Sequence, residues 1–547
     1  MAFILKRGTT LGAMSAEDDQ AFLADCLVRT SDLERITDSA NPKCIALGRT
    51  GAGKSAILQQ IENTSVRSAR IDPEALSLNY ISNSNVISFF ESLNINLDIF
   101  YQLLWRHIFA VELLKLKRQM QNEAAARSWI ENLRQSFENN DRKKRALNYL
   151  TEFGDKFWLD TEERVREVVR NIENHFEREV GISVDAFKAK IHADAKDGNS
   201  QSIKETSDIV NRATRVVNDV QVQELNGIIE LLSEDVFHDR QQKYIIIIDD
   251  LDTGWVHESI RFKLVRSLIE TLKKFKRISN VKIVIGLRVD LLETVLQNTA
   301  SAGFQTEKFE DMMLRLSWAR EELMELANKR IAHSFKDQYT STIPQFYDIF
   351  ASKVGTQDSF DYILDRSLHR PRDIISFMNE CLDQAVGQSK INQNNIRNGE
   401  KEYSRKRLRS LADEWRETFG DLESVIGCLR HVPVRFELSD LTDGAIETLC
   451  LELLAGDGVS NSGTFVKACS LVADTNQSYA SIRRALIETL YLIGAIGVKL
   501  SRGTPYNWSY KNSPILRYDS LTEESSFAIH PMLFRELNKR ADPTTLV

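Results

Sequence analysis

An α/β core built on a parallel sheet, enlarged by helical additions, is the fold class this sequence predicts, and three observations predict it. The runs "KYIIIID" (243–249) and "VKIVIGL" (281–287) are continuously apolar and β-branched, as strands covered on both faces are. The run "KCIALG" (43–48) ends in glycine, and "SAILQQIE" follows after a short loop with apolar residues at helical spacing, which reads as strand, loop, helix. At 547 residues with 42% hydrophobic, 27% charged and only 9 prolines, the chain can bury several cores and has the balance of a helix-rich globular protein.

The elements follow in order. "SAEDDQAFLADCLVR" (15–29) opens with Ser15 as a helix cap, and Phe22, Leu23, Cys26 and Leu27 form one apolar face. Beside the three runs above, "ALSLNYI" (75–81) and "MMLRLSW" (312–318) have strand character, completing five parallel strands. Between about 100 and 240 the chain is rich in Glu, Lys, Arg, Asn and Gln, with Ile209, Ala213, Val216 and Val220 at helical spacing; it reads as a helical insertion, either a solvated subdomain or a partner arm. "AREELMELANKRIAHSF" starts a run of helices to about 415. Near the end, "SIRRALIETLYLIG" precedes "AIGVKL", the turn "SRGTP" and "YNWSYK", a helix leading into a two-stranded ribbon, as a winged helix ends. The expected domains are a first core part (1–100), the helical insertion (101–242), a second core part (243–320), a helical lid (321–415) and a winged-helix-like C-terminal domain (416–547).

The net charge of −7 gives no global attraction to nucleic acid or anionic membranes. The six cysteines are scattered without metal-ligand spacing, which favours a reducing, cytoplasmic setting. The most apolar long stretch, "DIFYQLLWRHIFAVELLKLK", is interrupted by Arg106, His107 and Glu112 and reads as a core helix rather than a membrane span. The nine histidines lie in no triad or metal spacing, and His530 reads as structural.

Chemistry concentrates in two motifs. "GRTGAGKSA", Gly48, Arg49, Thr50, Gly51, Ala52, Gly53, Lys54, Ser55 and Ala56, contains G-x-x-x-x-G-K-[ST] between a strand and a helix. There the glycines let backbone N–H groups wrap a phosphate, the lysine reaches the β- and γ-phosphates, and the serine ligates Mg²⁺. "YIIIIDDLD" places Asp249 at a strand tip to hold Mg²⁺, and Asp250 next to it to orient or deprotonate a water. Asp250 and Asp252 are also residue types that cap a following helix or turn. Asp is shorter than the Glu usual at the second position, which predicts slow turnover. Past the next strand, Arg288 is placed to sense a γ-phosphate, or to pair with Asp290 or Glu293. In "HRPRDIISFMNEC", Pro371 marks a first helical turn with Arg370 and Arg372 at its start; cations there oppose the helix dipole, so Asp373 or a bound triphosphate compensates them.

The succession of phosphate loop, double-Asp strand, Arg-ended strand, "LSWAREEL" joint, Arg-bearing lid helix and winged helix resembles the AAA+/STAND side of the P-loop ATPases. "GRTGAGKSAI", "IDDLD", "RPRDII" and "YSRKRLRSLADEW" are similar to stretches of bacterial KAP-like and STAND-like ATPases, many carried in mobile or phage-defence loci. The resemblance spans nearly the whole chain apart from the insertion. It implies a sheet ordered 5-1-4-3-2, ATP and Mg²⁺ as cofactors, and homo-oligomers. It also implies roles: Lys54 and Ser55 for phosphate and metal, Asp249 and Asp250 for metal and water, Arg288 as first sensor and Arg372 as second. Catalytic residues would then be Lys54, Asp250, Arg288 and Arg372. No arginine finger from a neighbouring subunit is assignable.

Two functions compete. One is an ATP-driven switch whose lid and winged-helix lobes close on the core and control a partner effector protein, in antiviral defence. The other is a DNA-associated ATPase, with Arg483, Arg484, Lys499, Arg502 and Lys511 at the winged helix and Lys401, Arg405, Lys406, Arg407 and Arg409 as a basic stripe before it.

Overall fold

The structure, a computed structural model, describes residues 4–74, 97–118, 229–237, 241–298, 307–336, 343–416, 422–455, 479–511 and 516–540, with 76, 178, 239 and 419 singly. The helical spacing read at Ile209, Ala213, Val216 and Val220 lies outside the described residues. The chain forms two compact units: a sheet unit of Thr30–Arg49 and Lys54–Leu316, and a helical unit of Met1–Arg29, Thr50–Gly53 and Ser317–Val547.

In the sheet unit, β1 (Ile45–Gly48), β2 (Ser68–Ile71), β3 (Tyr244–Ile248), β4 (Val281–Arg288) and β5 (Met313–Arg315) are all parallel. They lie in the order β5-β1-β4-β3-β2. The unbroken apolar runs have a two-sided cause. Tyr244, Ile246 and Ile248 of β3 enter one buried cluster with Ile283 and Ile285 of β4, while Ile245 and Ile247 enter another with Val284, because successive strand side chains point to opposite faces. Helix α1 (Lys54–Thr64) covers the second face through Ile57, Leu58 and Ile61. Helices α2 (Asp98–Arg118), α3 (Glu258–Phe275) and α4 (Val289–Asn298) supply the first cluster.

Two readings shift here. The expected edge strand at 75–81 falls outside the described residues apart from Leu76, which is in a turn; the strand beside β3 is Ser68–Ile71, paired Ser68↔Ile245 to Ile71↔Ile248. Helix α2 straddles the expected boundary at 100/101. Its Tyr101, Leu104, Trp105 and Phe109 are core residues, and the Trp105 indole donates to the Leu264 carbonyl of α3 at 2.9 Å.

In the helical unit, one apolar cluster runs from Leu5 to Leu537, so the expected lid and C-terminal domain share a core. The first residues belong with it. Leu5 and Leu11 are buried there, and Arg330 of α5 (Arg320–Phe335) donates to the Leu11 carbonyl at 2.6 Å and to the Asp19 carboxylate at 2.5 Å. The chain's first described helix is Gln20–Cys26; Ser15 accepts from the Asp18 N–H at 3.2 Å and donates to the Asp18 carboxylate at 2.7 Å, in a turn ahead of that helix.

Helices α6 (Ser359–Asp365), α7 (Pro371–Asp383) and α8 (Gln393–Glu414) follow. Pro371 is at the first turn of α7, where a missing N–H costs nothing. Asn392 caps α8 through the N–H groups of Asn394 and Asn395. A Cβ on Gly399 would lie 2.9 Å from the Cys381 backbone nitrogen, so only glycine lets α7 and α8 approach this closely. After α9 (Leu422–Gly427) come β6 (Arg435–Glu437), α10 (Asp443–Ala455), α11 (Ala480–Leu492), β7 (Ile496–Lys499) and β8 (Ser526–Ile529). They form an antiparallel sheet ordered β6-β8-β7. The ribbon partner expected at "YNWSYK" makes one bridge, Val498↔Asn507. Its Trp508 instead packs on Gly497, where a Cβ would lie 2.7 Å from the ring, and β8 takes the ladder.

Candidate functional site

Parallel pairing places the carboxyl ends of β1, β3 and β4 together. Gly48 stands opposite Arg288 and Ile248 opposite Ile285, so Asp249, the residue after β3, lies beside Gly286. A Cβ at Gly286 would be 2.4 Å from Asp249 Oδ1 and 3.0 Å from Leu58 Cδ1; the missing side chain is what admits the carboxylate.

Asp249 is 4% exposed. Burial pushes its carboxyl up, opposed by a hydrogen bond from the Ser55 hydroxyl, the charges of Arg70 and Lys54, and the Asp250 backbone N–H. Arg70 on β2 reaches Asp249 Oδ2 at 3.3 Å. Lys54 Nζ donates to the Gly48 and Arg49 carbonyls at 3.2 Å each. Burial lowers its pKa, and Asp252 and Asp249 are the largest charges opposing that. Asp250 has φ 56 and is exposed, and its carbonyl accepts from the Thr253 hydroxyl at 2.8 Å. Backbone left-handedness thus turns the second carboxylate away from the burial of the first.

Arg288, at the end of β4, forms a two-pronged pair with Asp290 at 3.0 and 2.5 Å and meets Asp252 Oδ2 at 3.1 Å. The structural partner read from the sequence is therefore present, and Asp252 holds Arg288 rather than capping. Lys54 also feels the Arg288 charge, so Lys54, Ser55, Asp249, Asp252 and Arg288 form one electrostatic group at the strand ends.

The loop's middle residues, Thr50–Gly53, belong to the helical unit. Gly51 and Gly53 have φ +75 and +98, a backbone other residues adopt at a cost. A Cβ on Gly51 would be 2.6 Å from Arg372 Cβ. Arg372 Nε donates to the Met14 carbonyl at 2.9 Å, and burial followed by the Arg370 charge lowers the pKa of its guanidinium. Arg370, 2% exposed, donates to the Thr50 carbonyl. The Trp318 indole donates to the Ala52 carbonyl at 2.8 Å. Ala56 lies in the first turn of α1.

The sequence reading missed Arg70, Gly286, Trp318 and the loop contact of Arg370. Trp318 and Arg370 stood inside quoted motifs; Arg70 was hidden because its strand is short and polar.

Among the described residues no group of three His, Cys, Asp or Glu side chains could hold a metal. A phosphate-bound Mg²⁺ takes one or two protein oxygens and completes its shell from phosphates and water; the Ser55 hydroxyl, which acts to lower the Asp249 pKa, and the buried Asp249 carboxylate are oxygens of that kind. No helix among the described residues is long and apolar enough to cross a membrane.

The basic residues expected to read DNA are dispersed. Arg407 is buried, Lys406 pairs with Glu380 at 2.5 Å and Arg405 with Glu402 at 2.5 Å. Arg483 pairs with Asp443, and Arg484 with Glu488 and Asp519. Lys499 and Lys511 line a 940 Å³ cleft with Arg435, and Asp365, Glu437 and Asp440 line it too. Lys401, Arg409 and Arg502 are exposed. His530 is fully buried, its Nδ1 accepting from the Met532 N–H at 3.1 Å and its Nε2 meeting the Tyr510 hydroxyl at 2.9 Å.

A family described as the FunZ-associated C-terminal helical domain matches residues 321–412, from α5 to near the end of α8. The chain is 20% identical to the putative transposon gamma-delta 80.3 kDa protein of Escherichia coli strain K12, over 98% of this chain and 68% of that one. It is 26% identical to Allergen Alt a 2 of Alternaria alternata over 24% of this chain and 78% of that one. Among solved structures, Cdc6p from Pyrobaculum aerophilum aligns over 98% of this chain and 97% of its own, at 12% identity and a TM-score of 0.25.

Proposed function

We propose that the protein binds and slowly hydrolyses ATP with Mg²⁺, and that this cycle switches the conformation it offers to a partner protein. The observation that carries the reading is the buried Asp249 carboxylate seated against Gly286, with Lys54 donating to the Gly48 and Arg49 carbonyls, at the end of a strand whose loop has two glycines with positive φ. A buried carboxylate, a lysine whose ammonium donates to two loop carbonyls and the hydroxyl of the next residue are groups suited to a polyphosphate and its metal.

Each residue has a role in this reading. The loop amides and the start of α1 bind phosphate oxygens. Lys54 exchanges its carbonyl partners for phosphate, a charge-assisted bond that is stronger than the ones it leaves. Ser55 and Asp249 would hold the metal, which would supply charge neutralisation at the phosphates. Asp250, exposed and one residue on, orients the attacking water and takes its proton. Arg288 reports on the phosphate by leaving Asp252 or Asp290, and Arg372, packed on Gly51 of the loop, reads the nucleotide.

The bacterial setting, the effector and assembly into homo-oligomers are part of the proposal. One of the relatives is described as a putative transposon protein, which supports carriage on mobile DNA. The sheet at the C-terminus, with α11 before β7 and β8, supports a winged-helix module used for protein contact, since its cations are largely matched by carboxylates.

Phosphate release by the full chain should fall about 10²-fold or more in Lys54→Ala. Asp250→Asn should lose about 10²-fold in turnover while keeping ATP affinity. Equal release by wild type and both variants would rule out hydrolysis at this site, and unchanged ATP affinity in Lys54→Ala would rule out the loop as the binding element.

A further inference from the structure

Three successive carbonyls of the loop are each engaged. Thr50 accepts from the Arg370 guanidinium, Gly51 from the Arg372 backbone N–H at 3.5 Å, and Ala52 from the Trp318 indole at 2.8 Å. In a loop whose residues alternate through left-handed backbone, the N–H groups converge on one side and form an anion-binding concavity. Holding the carbonyls outward therefore orients the amides that would meet phosphate.

Arg370 is the strongest of the three donors by construction. Its fork meets both oxygens of Glu414 at 3.2 Å, and its Nε lies 3.1 Å from Asp373. Arg407 completes the cluster, 3.2 Å from Asp373 and 3.1 Å from Glu414. Arg370, Asp373, Arg407 and Glu414 are each at most 4% exposed in their side chains. Two cations and two carboxylates balance, so the cluster is neutral without the loop. Nη1 of Arg370 carries two hydrogens, and one goes to Glu414 while the other goes to Thr50.

We propose that Arg370 is a positioning residue for the phosphate loop: it and Trp318 hold the Thr50 and Ala52 carbonyls so that the loop is set for an anion before nucleotide arrives. This rests on reading the loop as the phosphate cradle. Arg370 acts through the loop and touches no reacting atom.

A second arginine supplies the control. Arg366 is equally buried, bonds Glu400 at 2.6 Å and the Tyr362 carbonyl at 3.1 Å, and has the same helical-unit surroundings with no loop contact among its bonds. Hydrogen exchange of the full chain without nucleotide, read on peptides covering 48–56, separates the roles. Arg370→Gln and Trp318→Phe should each speed loop-amide exchange by about tenfold, with Arg370→Lys intermediate because it lacks the fork. Arg366→Gln should lower the unfolding midpoint and leave loop exchange at the wild-type rate. Trp318→Phe keeps an aromatic side chain and removes the indole N–H that bonds Ala52, so the test survives if Arg370→Gln does not fold. Wild-type loop exchange in both Trp318→Phe and Arg370→Lys, or equal acceleration in Arg366→Gln, overturns the proposal. ATP titration is read separately: lack of binding by wild type defeats the cradle reading, while the exchange rates still decide what Arg370 does.

Discussion

A methyl group at Gly286 would be 2.4 Å from Asp249 Oδ1, nearer than any packed carbon stands to an oxygen. Gly286→Ala should therefore displace the carboxylate, with an overpacking cost of about 1–3 kcal/mol. Denaturant midpoints would show that loss, and ATP binding with and without Mg²⁺ would show the metal dependence shrinking; a variant matching wild type in both would mean that Asp249 is not fixed by this contact. His369 makes a pH prediction. It has φ 49 and a pKa lowered from 6.5 to about 3, first by burial and then by Lys511, with Asp373 opposing; the Tyr510 ring is its neighbour at 5.7 Å. A folded pKa below the unfolded one gives stability that is complete above pH 6.5 and is lost as pH falls toward 3. Asp373, held below the usual carboxylate range by Arg370 and Arg407 against its burial, loses its contribution only below about pH 4. Urea midpoints from pH 7 to 4 should thus decline less steeply in His369→Asn, which tolerates the same backbone, than in wild type; parallel curves would clear His369 of the effect.

At the scale of elements, legibility followed burial. β3 and β4 were plain because both faces are covered, so their residues are apolar apart from Lys282 and Arg288 of β4. β2, "SARI", is an edge strand with three partly or wholly exposed positions, and nothing in four such residues outweighs the more β-like run that follows. The C-terminal sheet misled in a related way. "YNWSYK" has more strand character than "SFAI", yet its Trp508 is needed to cover Gly497, a tertiary demand that propensity does not carry. The loop was legible as a motif between β1 and α1, and Asp249 as the residue after β3. What holds the loop was not, since Trp318 and Arg370 meet it across more than 260 residues of chain. On the basic stripe of α8, helical spacing turns Arg407 to the core, where Asp373 and Glu414 take it, while Lys401, Arg405, Lys406 and Arg409 are exposed.

For the whole molecule, a net charge of −7 combines with arginines already matched to carboxylates. Duplex DNA binding should accordingly be weak and should change little with salt, because few phosphates would be neutralised. Titrations between 50 and 200 mM salt check this, and a steep loss of affinity across that range would restore the DNA-associated reading. The bond from the Trp318 indole to the Ala52 carbonyl has a further consequence. Indole emission responds to the polarity and hydrogen bonding of its surroundings, so the loop carries its own optical reporter, one of seven tryptophans in the chain. Subtracting the spectrum of Trp318→Phe from that of wild type isolates it, and the residual emission should shift when ATP is added. The state of the phosphate loop can be followed in the unlabelled protein, in real time, before any product is released.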